Sequence, residues 1–214
     1  MNHVASVLRR SAGPWSAAFL GTALVCASPT AVAQEPRAFE VKAAFLANFA
    51  KFANWPSEIL ADGAPITFCV MGDAEVAGAL ERLVRSRPAT GHPLKVVRLK
   101  VDVVSRGEES TVRACHMLYA SGVDAKLWPV LLGAIDGKPV FSVSDSDGFA
   151  ERGGMAALYV ELNRMRFAIN VDTMRRSGVR LSASLLSLAK IVKDDPNGRP
   201  PVKGAPSVGV RPPS

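Results

Sequence analysis

Few side chains in this chain of 214 residues could do chemistry. Past a predicted leader, only His92 and His116 supply imidazoles, and only Cys69 and Cys115 supply thiols. None of them has the His-x-x-x-His or Cys-x-x-Cys spacing typical of a zinc site. Cys115 and His116 are adjacent in a strand-like segment, where neighbours point to opposite faces, so they cannot pair as nucleophile and base. The sequence therefore predicts no catalytic residues, no metal, no cofactor and no enzyme activity.

Two loops have only a superficial likeness to binding motifs. Gly133–Lys138 is one residue short of a phosphate-binding loop and is followed by Pro139, which has no hydroxyl for magnesium. Asp145–Gly148 suggests a calcium loop, but Val143 and Gly154 stand where the first ligand and the bidentate acid would be. Both segments are interpreted as turns.

Both ends of the chain differ in composition from its middle. Residues 1–33 contain Arg9 and Arg10, then an apolar run of 11 residues and the small-x-small site that ends at Ala33. This pattern predicts a signal peptide cleaved near Ala33, with an uncleaved anchor or a lipoprotein at Cys26 as alternatives. Residues 196–214 hold six prolines, three glycines and three basic residues without an acid, which predicts a flexible basic tail.

The formal charge of +7 belongs mostly to these ends. The leader contributes +2 and the tail +3, so residues 34–195 carry only +2. A nucleic-acid-binding domain would concentrate Lys and Arg on one face. The middle segment does not, so we expect an exported domain over residues 34–195 that binds no nucleic acid.

Apolar periodicity predicts an alternation of helices and strands in this domain. We expect helices at Phe39–Phe52, at about Ala74–Arg85 with Asp73 as N-cap, at Ala125–Ile135, at Val171–Arg176 and, from the spacing of Leu185, Leu188, Ala189 and Val192, at the end of the domain. We expect strands at Ile66–Met71, Leu94–Val101, His116–Ala120, Val140–Ser144, Ala156–Leu162 and Met165–Ile169. The fold class predicted is α/β, with a mostly parallel sheet flanked by helices and an antiparallel edge hairpin.

Cys69 and Cys115 are the remaining cysteines after the predicted leader. In an oxidising compartment a disulfide between them would persist, and closing a separation of 46 residues would stabilise the fold by about 4 kcal/mol. Two buried free thiols are the alternative.

A series of short motifs runs in order through residues 39–192. They are Val41–Phe52 with Trp55-Pro56, Phe68–Asp73, Cys115-His116, Val143–Asp145 with Phe149, Gly153–Met155, Asn163–Asn170, and Leu181-Ser182 with Leu185–Ala189. In this order and spacing the chain is similar to the YfiR family of exported bacterial proteins. Each motif is short, and their common order makes the resemblance specific.

The resemblance implies a periplasmic regulator that forms a homodimer and represses an inner-membrane diguanylate cyclase by binding its periplasmic region. Release of that cyclase raises cyclic-di-GMP and promotes biofilm; a sensor kinase is another possible partner. Cys69 and Cys115 match one disulfide of the family, while a second cysteine pair that some relatives carry near Phe149–Gly154 is missing here. The alternative function is a periplasmic sensor or carrier of an unidentified small ligand.

Candidate binding residues follow the ends of the predicted strands. Ser144 and Asp145 end a parallel strand, where ligands gather in open α/β sheets, although an Asx-type turn would explain them equally. Phe149, Gly153 and Gly154 lie in the next loop, where the glycines admit either a partner or a tight turn.

The remaining candidates surround the predicted hairpin. Asn170 either contacts a ligand or caps the helix at Val171. We interpret Asn163-Arg164 as the hairpin turn, with Arg164 and Arg166 on one face of the strand. These arginines could meet acidic partner residues or a phosphate, or could lie on a solvated face.

Overall fold

A computed structural model describes residues 37–86 and 91–195. The predicted signal peptide at residues 1–33 and the predicted tail at residues 196–214 lie outside the described residues. Among the described helices, no segment has the length and apolar character needed to cross a membrane.

The helices are α1 (Ala38–Phe52), α2 (Ala74–Ser86), α3 (Glu109–Arg113), α4 (Trp128–Ile135), α5 (Val171–Ser177) and α6 (Ala183–Leu186), with a 3-10 turn at Ala125–Leu127 before α4. The strands are β1 (Ala53–Asn54), β2 (Ile66–Met71), β3 (Leu94–Leu99), β4 (Met117–Ala120), β5 (Phe141–Ser144), β6 (Ala156–Glu161), β7 (Arg164–Asn170), β8 (Arg180–Leu181) and β9 (Lys190–Val192).

Seven of these strands form one mixed sheet in the order β3-β2-β4-β5-β6-β7-β9. All neighbouring pairs are parallel except β6 and β7, which form the predicted antiparallel hairpin. Strands β1 and β8 pair separately as a short antiparallel ribbon. The predicted α/β class with a mostly parallel sheet is therefore confirmed.

Helices cover both faces of the sheet, because alternate residues of the central strands point to opposite sides. On one face, Phe68 of β2 and Phe141 of β5 pack with Phe49 of α1 and with α2. On the other face, Leu118 of β4 packs with Leu131 of α4. The aromatic stripe of α1 thus serves the core, as its spacing predicts, and Phe49 is 1% exposed.

The final amphipathic helix is a wrong prediction. Helix α6 contains four residues and is capped by Ser182, whose hydroxyl accepts the Leu185 N–H at 3.2 Å. The chain then turns into β9, which pairs in parallel with β7. The spacing of Leu185, Leu188, Ala189 and Val192 mimics a helix, but pairing of β9 satisfies backbone groups along the open edge of β7. Leu188, predicted on the apolar face, is 72% exposed.

The hairpin turn is displaced by one residue from the prediction. Glu161 pairs with Arg164, so the two-residue turn is Leu162-Asn163 and Arg164 already belongs to β7. Leu162 and Asn163 have φ values of +48° and +58°. Two positive φ values are the geometry of a type I′ turn, whose twist suits a hairpin. Asn tolerates positive φ values, but Leu rarely adopts them. The Leu at the first turn position therefore gives no indication of this turn in the sequence.

Candidate functional site

The predicted disulfide joins Cys69 of β2 to Cys115, just before β4, with the two Cα atoms 5.8 Å apart. Both cysteines are buried in the core on the α4 side of the sheet. His116 follows directly, and its Nδ1 accepts the Thr67 N–H at 3.0 Å while its ring lies edge-on to Trp55. These contacts hold the start of β4 against β2. They account for the disulfide and for His116 as structural parts of the fold.

Polar residues meet where three parallel strands end at the same edge of the sheet. Gly72-Asp73 follows β2, Ser121 follows β4, and Asp145 follows β5. The chain leaves β2 toward β3 on one side and returns to β4 on the other, so β2 and β4 flank a topological switch point. Open α/β sheets bind ligands in the crevice at such a point. We call Lys42, Asp73, Tyr119, Ser121 and Asp145 the strand-end cluster.

Lys42 of α1 reaches this edge from the helix layer above it. Its Nζ donates to Asp145 Oδ2 at 2.6 Å and lies 3.9 Å from Asp73 Oδ2. The three side chains are each about one-fifth exposed, with values of 21%, 19% and 22% for Lys42, Asp73 and Asp145. One ammonium therefore lies between two carboxylates in a partly buried position that solvent still reaches.

Asp73 has a second task at the start of α2. Its Oδ1 accepts the Val76 N–H at 2.9 Å, which confirms the predicted N-cap. Because this bond uses Oδ1, Asp73 presents Oδ2 to Lys42.

Gly72 lets the end of β2 approach the end of β4. Its φ is +82°, and a Cβ there would lie 1.9 Å from the Ser121 carbonyl oxygen. A side chain at Gly72 would thus need both an unfavourable backbone conformation and a displaced strand end. The close approach fixes Asp73 and Ser121 on neighbouring walls of the switch point.

The pKa of the Asp145 carboxyl is below its ordinary value. Burial acts to raise it, but hydrogen bonding from Lys42 and Ser121, the positive charge of Lys42 and the Tyr119 hydroxyl together outweigh burial. Asp145 is therefore ionised at neutral pH, and its negative charge is held in place by groups from α1 and β4.

Tyr119 brings a phenol under this cluster. Its side chain is fully buried, and burial, followed by the negative charge of Asp145, raises its pKa. Its hydroxyl lies near Asp145 and Ser121, yet it makes no hydrogen bond of acceptable geometry within the described part of the chain. It is nonetheless close enough to the Asp145 carboxylate to contribute to the lowered pKa of Asp145.

The end of β5 and the loop that follows it hold four further predicted binding residues besides Asp145, and packing within the fold accounts for their positions. Ser144 is buried, and its Oγ accepts the Ser146 N–H at 3.1 Å in a turn. Phe149 is buried against Trp128 with its ring edge-on. Gly153 has φ +102°, which favours glycine, and Gly154 makes room for Phe149, since a Cβ there would lie 2.1 Å from the Phe149 ring.

Asn170 is fully buried. Of the two predicted alternatives, a ligand contact or a helix cap, it is the helix cap that the structure contains. Its Oδ1 accepts the N–H groups of Asp172 and Thr173, so it caps α5. Its Nδ2 donates to the Ala150 carbonyl at 2.6 Å and to Asp194 Oδ1 at 2.7 Å. Asn170 thereby links the β5–β6 loop, α5 and the segment that follows β9.

Arg164 and Arg166 lie far along the hairpin on its exposed surface and share one face of β7, as predicted. Arg166 Nε lies 3.9 Å from Glu161 Oε2, whereas Arg164 has no ion pair among the described residues. Near them, Val160 is 67% exposed and Leu162 is 90% exposed. We call Val160, Leu162, Arg164 and Arg166 the hairpin tip.

Of the predicted binding residues, only Asp145 belongs to the strand-end cluster. Sequence reasoning missed Lys42, Asp73 as part of a site, Tyr119 and Ser121. A usable indication was present, because a polar residue follows each of three predicted parallel strands at Asp73, Ser121 and Asp145. The contribution of Lys42 had no such indication, since it lies 103 residues before Asp145.

A family model described as YfiR/HmsC-like matches residues 39–190, which is most of the chain. A substrate-binding protein with adhesive properties from Clostridium difficile, solved ligand-free and open, is 15% identical with a TM-score of 0.49; the match covers 71% of this chain and 58% of that one. A conserved domain protein from Vibrio cholerae is 14% identical with a TM-score of 0.49, over 73% of this chain and 60% of that one.

A third solved structure, the ABC domain from Streptococcus pneumoniae in complex with L-Trp, is 10% identical with a TM-score of 0.44. The match covers 59% of this chain and 56% of that one. The chain thus spans somewhat under two-thirds of the length of these solved structures.

Proposed function

Because this chain belongs to the YfiR/HmsC-like family, whose members are periplasmic regulators without catalytic activity, we propose that it represses a periplasmic signalling partner by binding it. The partner proposed is the periplasmic region of an inner-membrane diguanylate cyclase, so that release of the protein raises cyclic-di-GMP and promotes biofilm. The match over residues 39–190 is the observation that carries this proposal. The protein acts as a homodimer after its leader is removed near Ala33.

The hairpin tip is the surface we assign to the partner. Val160 and Leu162 are large apolar side chains that water contacts freely, and Arg164 is a cation with no ion pair in the described part of the chain. Apolar groups surrounded by arginine are typical of the centre of protein interfaces. The partner surface that fits them is apolar with an acidic margin.

A binding measurement with purified components tests this function. The periplasmic region of the diguanylate cyclase from the same cell is titrated with this protein by calorimetry, and cyclic-di-GMP is measured in cells that lack the protein. We expect saturable binding and a rise in cyclic-di-GMP when the protein is absent. Unchanged cyclic-di-GMP together with no binding would overturn the proposal.

A matched pair of variants tests the surface. Leu162→Glu should weaken binding at least tenfold, because it places a charge in an apolar contact. Val130→Glu is the control, since Val130 of α4 is also exposed, at 46%, but lies on another element. Equal binding by both variants would show that the hairpin tip lies outside the interface. The identity of the partner would still be tested by the cyclic-di-GMP measurement in cells.

A second function, a sensor of a small periplasmic ligand, is supported by the strand-end cluster. The supporting observation is the buried Tyr119 hydroxyl without a hydrogen bond beside two carboxylates at a switch point. Thermal unfolding in the presence of a library of small metabolites tests it. A ligand at 100 times its dissociation constant stabilises by about 2.7 kcal/mol, and no stabilisation by any compound would contradict this function.

A further inference from the structure

We infer that the edge of the sheet formed by α2 and β3 binds the phosphate groups of an anionic phospholipid membrane. This inference goes beyond the proposed function and stands independently of it. The surface consists of five exposed cations from α2, from β3 and from the residue directly after β3, and we call them the basic edge: Arg82, Arg85, Lys95, Arg98 and Lys100. Arg98 forms an ion pair with Glu81 of α2, and the other four cations form none among the described residues.

The basic edge carries more charge than the composition of the domain suggests. Residues 74–100 contain six basic and two acidic residues, so their net charge is +4, whereas residues 34–195 together carry +2. The sequence predicts no concentration of Lys and Arg on one face of the domain. The structure corrects that expectation, because α2 packs beside β3 and brings two basic segments to the same edge of the sheet.

Three guanidinium groups of the basic edge surround one carboxylate. Arg98 donates from Nε and Nη2 to the two oxygens of Glu81, at 2.9 Å and 3.1 Å. This hydrogen bonding, together with the positive charge of Arg98 and of two further arginines, holds the pKa of Glu81 below its ordinary value. The two further arginines are Arg85 and Arg82. One negative charge thus faces three positive charges, and the group as a whole is left with a net charge of +2.

Gly78 leaves space at the point where two of these guanidinium groups meet. A Cβ on Gly78 would lie 3.5 Å from Arg82 Nη1 and 3.8 Å from Arg98 Nη2. A guanidinium has five N–H donors, of which Arg98 gives two to Glu81 and Arg82 gives none to any described residue. Arg matches the geometry of a phosphate with two parallel hydrogen bonds. A phosphate above Gly78 can therefore accept from both arginines.

The basic edge lacks the apolar centre that a protein partner would need. The centre of a protein interface is apolar and depleted in charged residues. Among the described residues, no exposed large apolar side chain lies in α2 or β3, whereas the hairpin tip has Val160 and Leu162. Excess positive charge without exposed apolar groups instead fits a surface covered with phosphates, and an anionic membrane strengthens binding about fivefold for each nearby Lys or Arg.

The sheet order places the basic edge and the hairpin tip toward opposite ends of the sheet. β3 is the first strand of the order and β7 is the last but one. Lys95 and Arg98 point to opposite faces of β3, but on an outermost strand both side chains border the solvent beyond the sheet. Both can therefore approach one membrane surface, and the hairpin tip stays free for the protein partner.

The test uses the full mature chain with its C-terminal tail and vesicles of two compositions. One contains phosphatidylcholine alone, and the other contains equal parts of phosphatidylcholine and phosphatidylglycerol; bound protein is measured by cosedimentation. We expect binding only to the vesicles with phosphatidylglycerol, and weaker binding as salt rises, because salt screens charges that are more than about 10 Å apart at 0.1 M. Inorganic phosphate is titrated separately while the amide signals of Gly78 and Arg98 are followed by NMR.

Two triple variants with equal changes of charge locate the binding surface. Arg82→Gln/Arg85→Gln/Lys95→Gln should lower the affinity for anionic vesicles about a hundredfold, since each lost charge costs about fivefold. The control is Lys126→Gln/Lys138→Gln/Lys190→Gln, which removes three exposed lysines elsewhere, one of them in β9 at the opposite edge of the sheet. It should bind almost as tightly as the unaltered protein. Circular dichroism verifies that each variant is folded.

A variant with the opposite expected effect completes the design. Glu81→Gln removes a negative charge and releases Arg98, so it should bind anionic vesicles about fivefold more tightly. Glu109→Gln is its control, because Glu109 also forms an ion pair with an arginine, Arg113, but lies in α3 outside the basic edge. Its affinity for the vesicles should not change.

The outcomes separate this inference from the proposed function. Equal binding to both kinds of vesicle, binding that salt leaves unchanged, or equal losses in the two triple variants would each overturn it. Saturable binding of inorganic phosphate without binding to vesicles would overturn the membrane as the source of the phosphate. The calorimetric titration of the cyclase region contains no lipid, so its result is independent of all these measurements.

Discussion

The β5–β6 loop and the hairpin tip are close along the chain but hold their shapes in different ways. In the loop, Phe149 is 1% exposed, and the backbone at Gly154 is shaped around its ring. At the tip, Leu162 is 90% exposed, and the turn is held by cross-strand pairing alone. The loop is fixed by packing from the inside, whereas the tip presents side chains that nothing in the described fold requires.

This difference separates stability from recognition. A side chain in the loop is tied to Trp128 and to the α5 cap at Asn170, so its substitution changes the fold before it changes a surface. A side chain at the tip can be exchanged with little effect on folding and is available to a partner. Binding residues are therefore best sought at the tip and at Asp145, whose carboxylate remains partly open to solvent.

The largest effect on stability should come from reducing the disulfide, which lies in the same part of the core as the β5–β6 loop. Cys69, Cys115 and Phe149 share one apolar cluster on the α4 side of the sheet. Reduction should lower the free energy of unfolding by about 4 kcal/mol, because the unfolded chain regains the entropy of a loop of 46 residues. Urea unfolding with and without reductant measures this.

The control for that experiment is the double variant Cys69→Ala/Cys115→Ala, whose stability should not respond to reductant. Oxidised and reduced protein with equal unfolding midpoints would contradict the prediction. Hairpin-tip contacts with a partner should persist in the reduced protein at temperatures where it stays folded.

Gly154→Ala should give the next largest effect. The new Cβ would meet the Phe149 ring at 2.1 Å, so the free energy of unfolding should fall by about 1–3 kcal/mol, as in other overpacked cores. Phe149→Leu should recover part of this loss in the double variant. Gly133→Ala is the matched control: Gly133 lies in α4 with no atom within 4 Å of a Cβ, and Ala there should stabilise the helix.

Thermal or urea unfolding of these variants measures the comparison between a packed and an open glycine. An unchanged free energy of unfolding in Gly154→Ala would show that the loop can rearrange around the added methyl group. The contrast between a packed loop and an open hairpin tip would then be wrong.

Local patterns predicted most elements of the fold but not the contacts between distant ones. The strand at Ile66–Met71 and the helix after Asp73 were confirmed, because strand composition and an N-cap are properties of short segments. The predicted C-terminal helix was wrong, since β9 pairs with a strand edge that lies 22 residues earlier in the chain, as in the pair Ala168 and Lys190. Within the site, Asp145 could be found from its position after a strand, but Lys42 comes from α1, and no local pattern relates the two.

A smaller effect, and one that depends on pH, should follow Asp145→Asn. The pKa of Asp145 is lowered in the folded protein, so its ionised form stabilises the fold at pH values above its unfolded pKa of about 4. This contribution is lost as the pH falls through the folded pKa. We expect the variant to be less stable at neutral pH and the difference to shrink progressively below about pH 4.

Unfolding midpoints at pH 7, 5, 4 and 3 measure this dependence in both proteins. Asp147→Asn, in the same loop but without a resolved role in the cluster, is the control. A stability difference that grows on acidification would contradict the assigned sign and would place the Asp145 charge in an unfavourable environment.

The smallest effect on folding is expected at the hairpin tip. Arg164 pairs across the hairpin with Glu161 only through the backbone ladder, and its side chain has no ion pair within the described residues. Arg164→Ala should therefore change the free energy of unfolding by no more than about 0.5 kcal/mol. Arg176→Ala is the matched arginine control, because Arg176 binds Asp136 and Asp194 at 3.0 Å and 2.5 Å and links two segments. If Arg164→Ala destabilised the protein as much as Arg176→Ala, the tip would belong to the stabilised part of the fold. Its availability to a partner would then lose its physical basis.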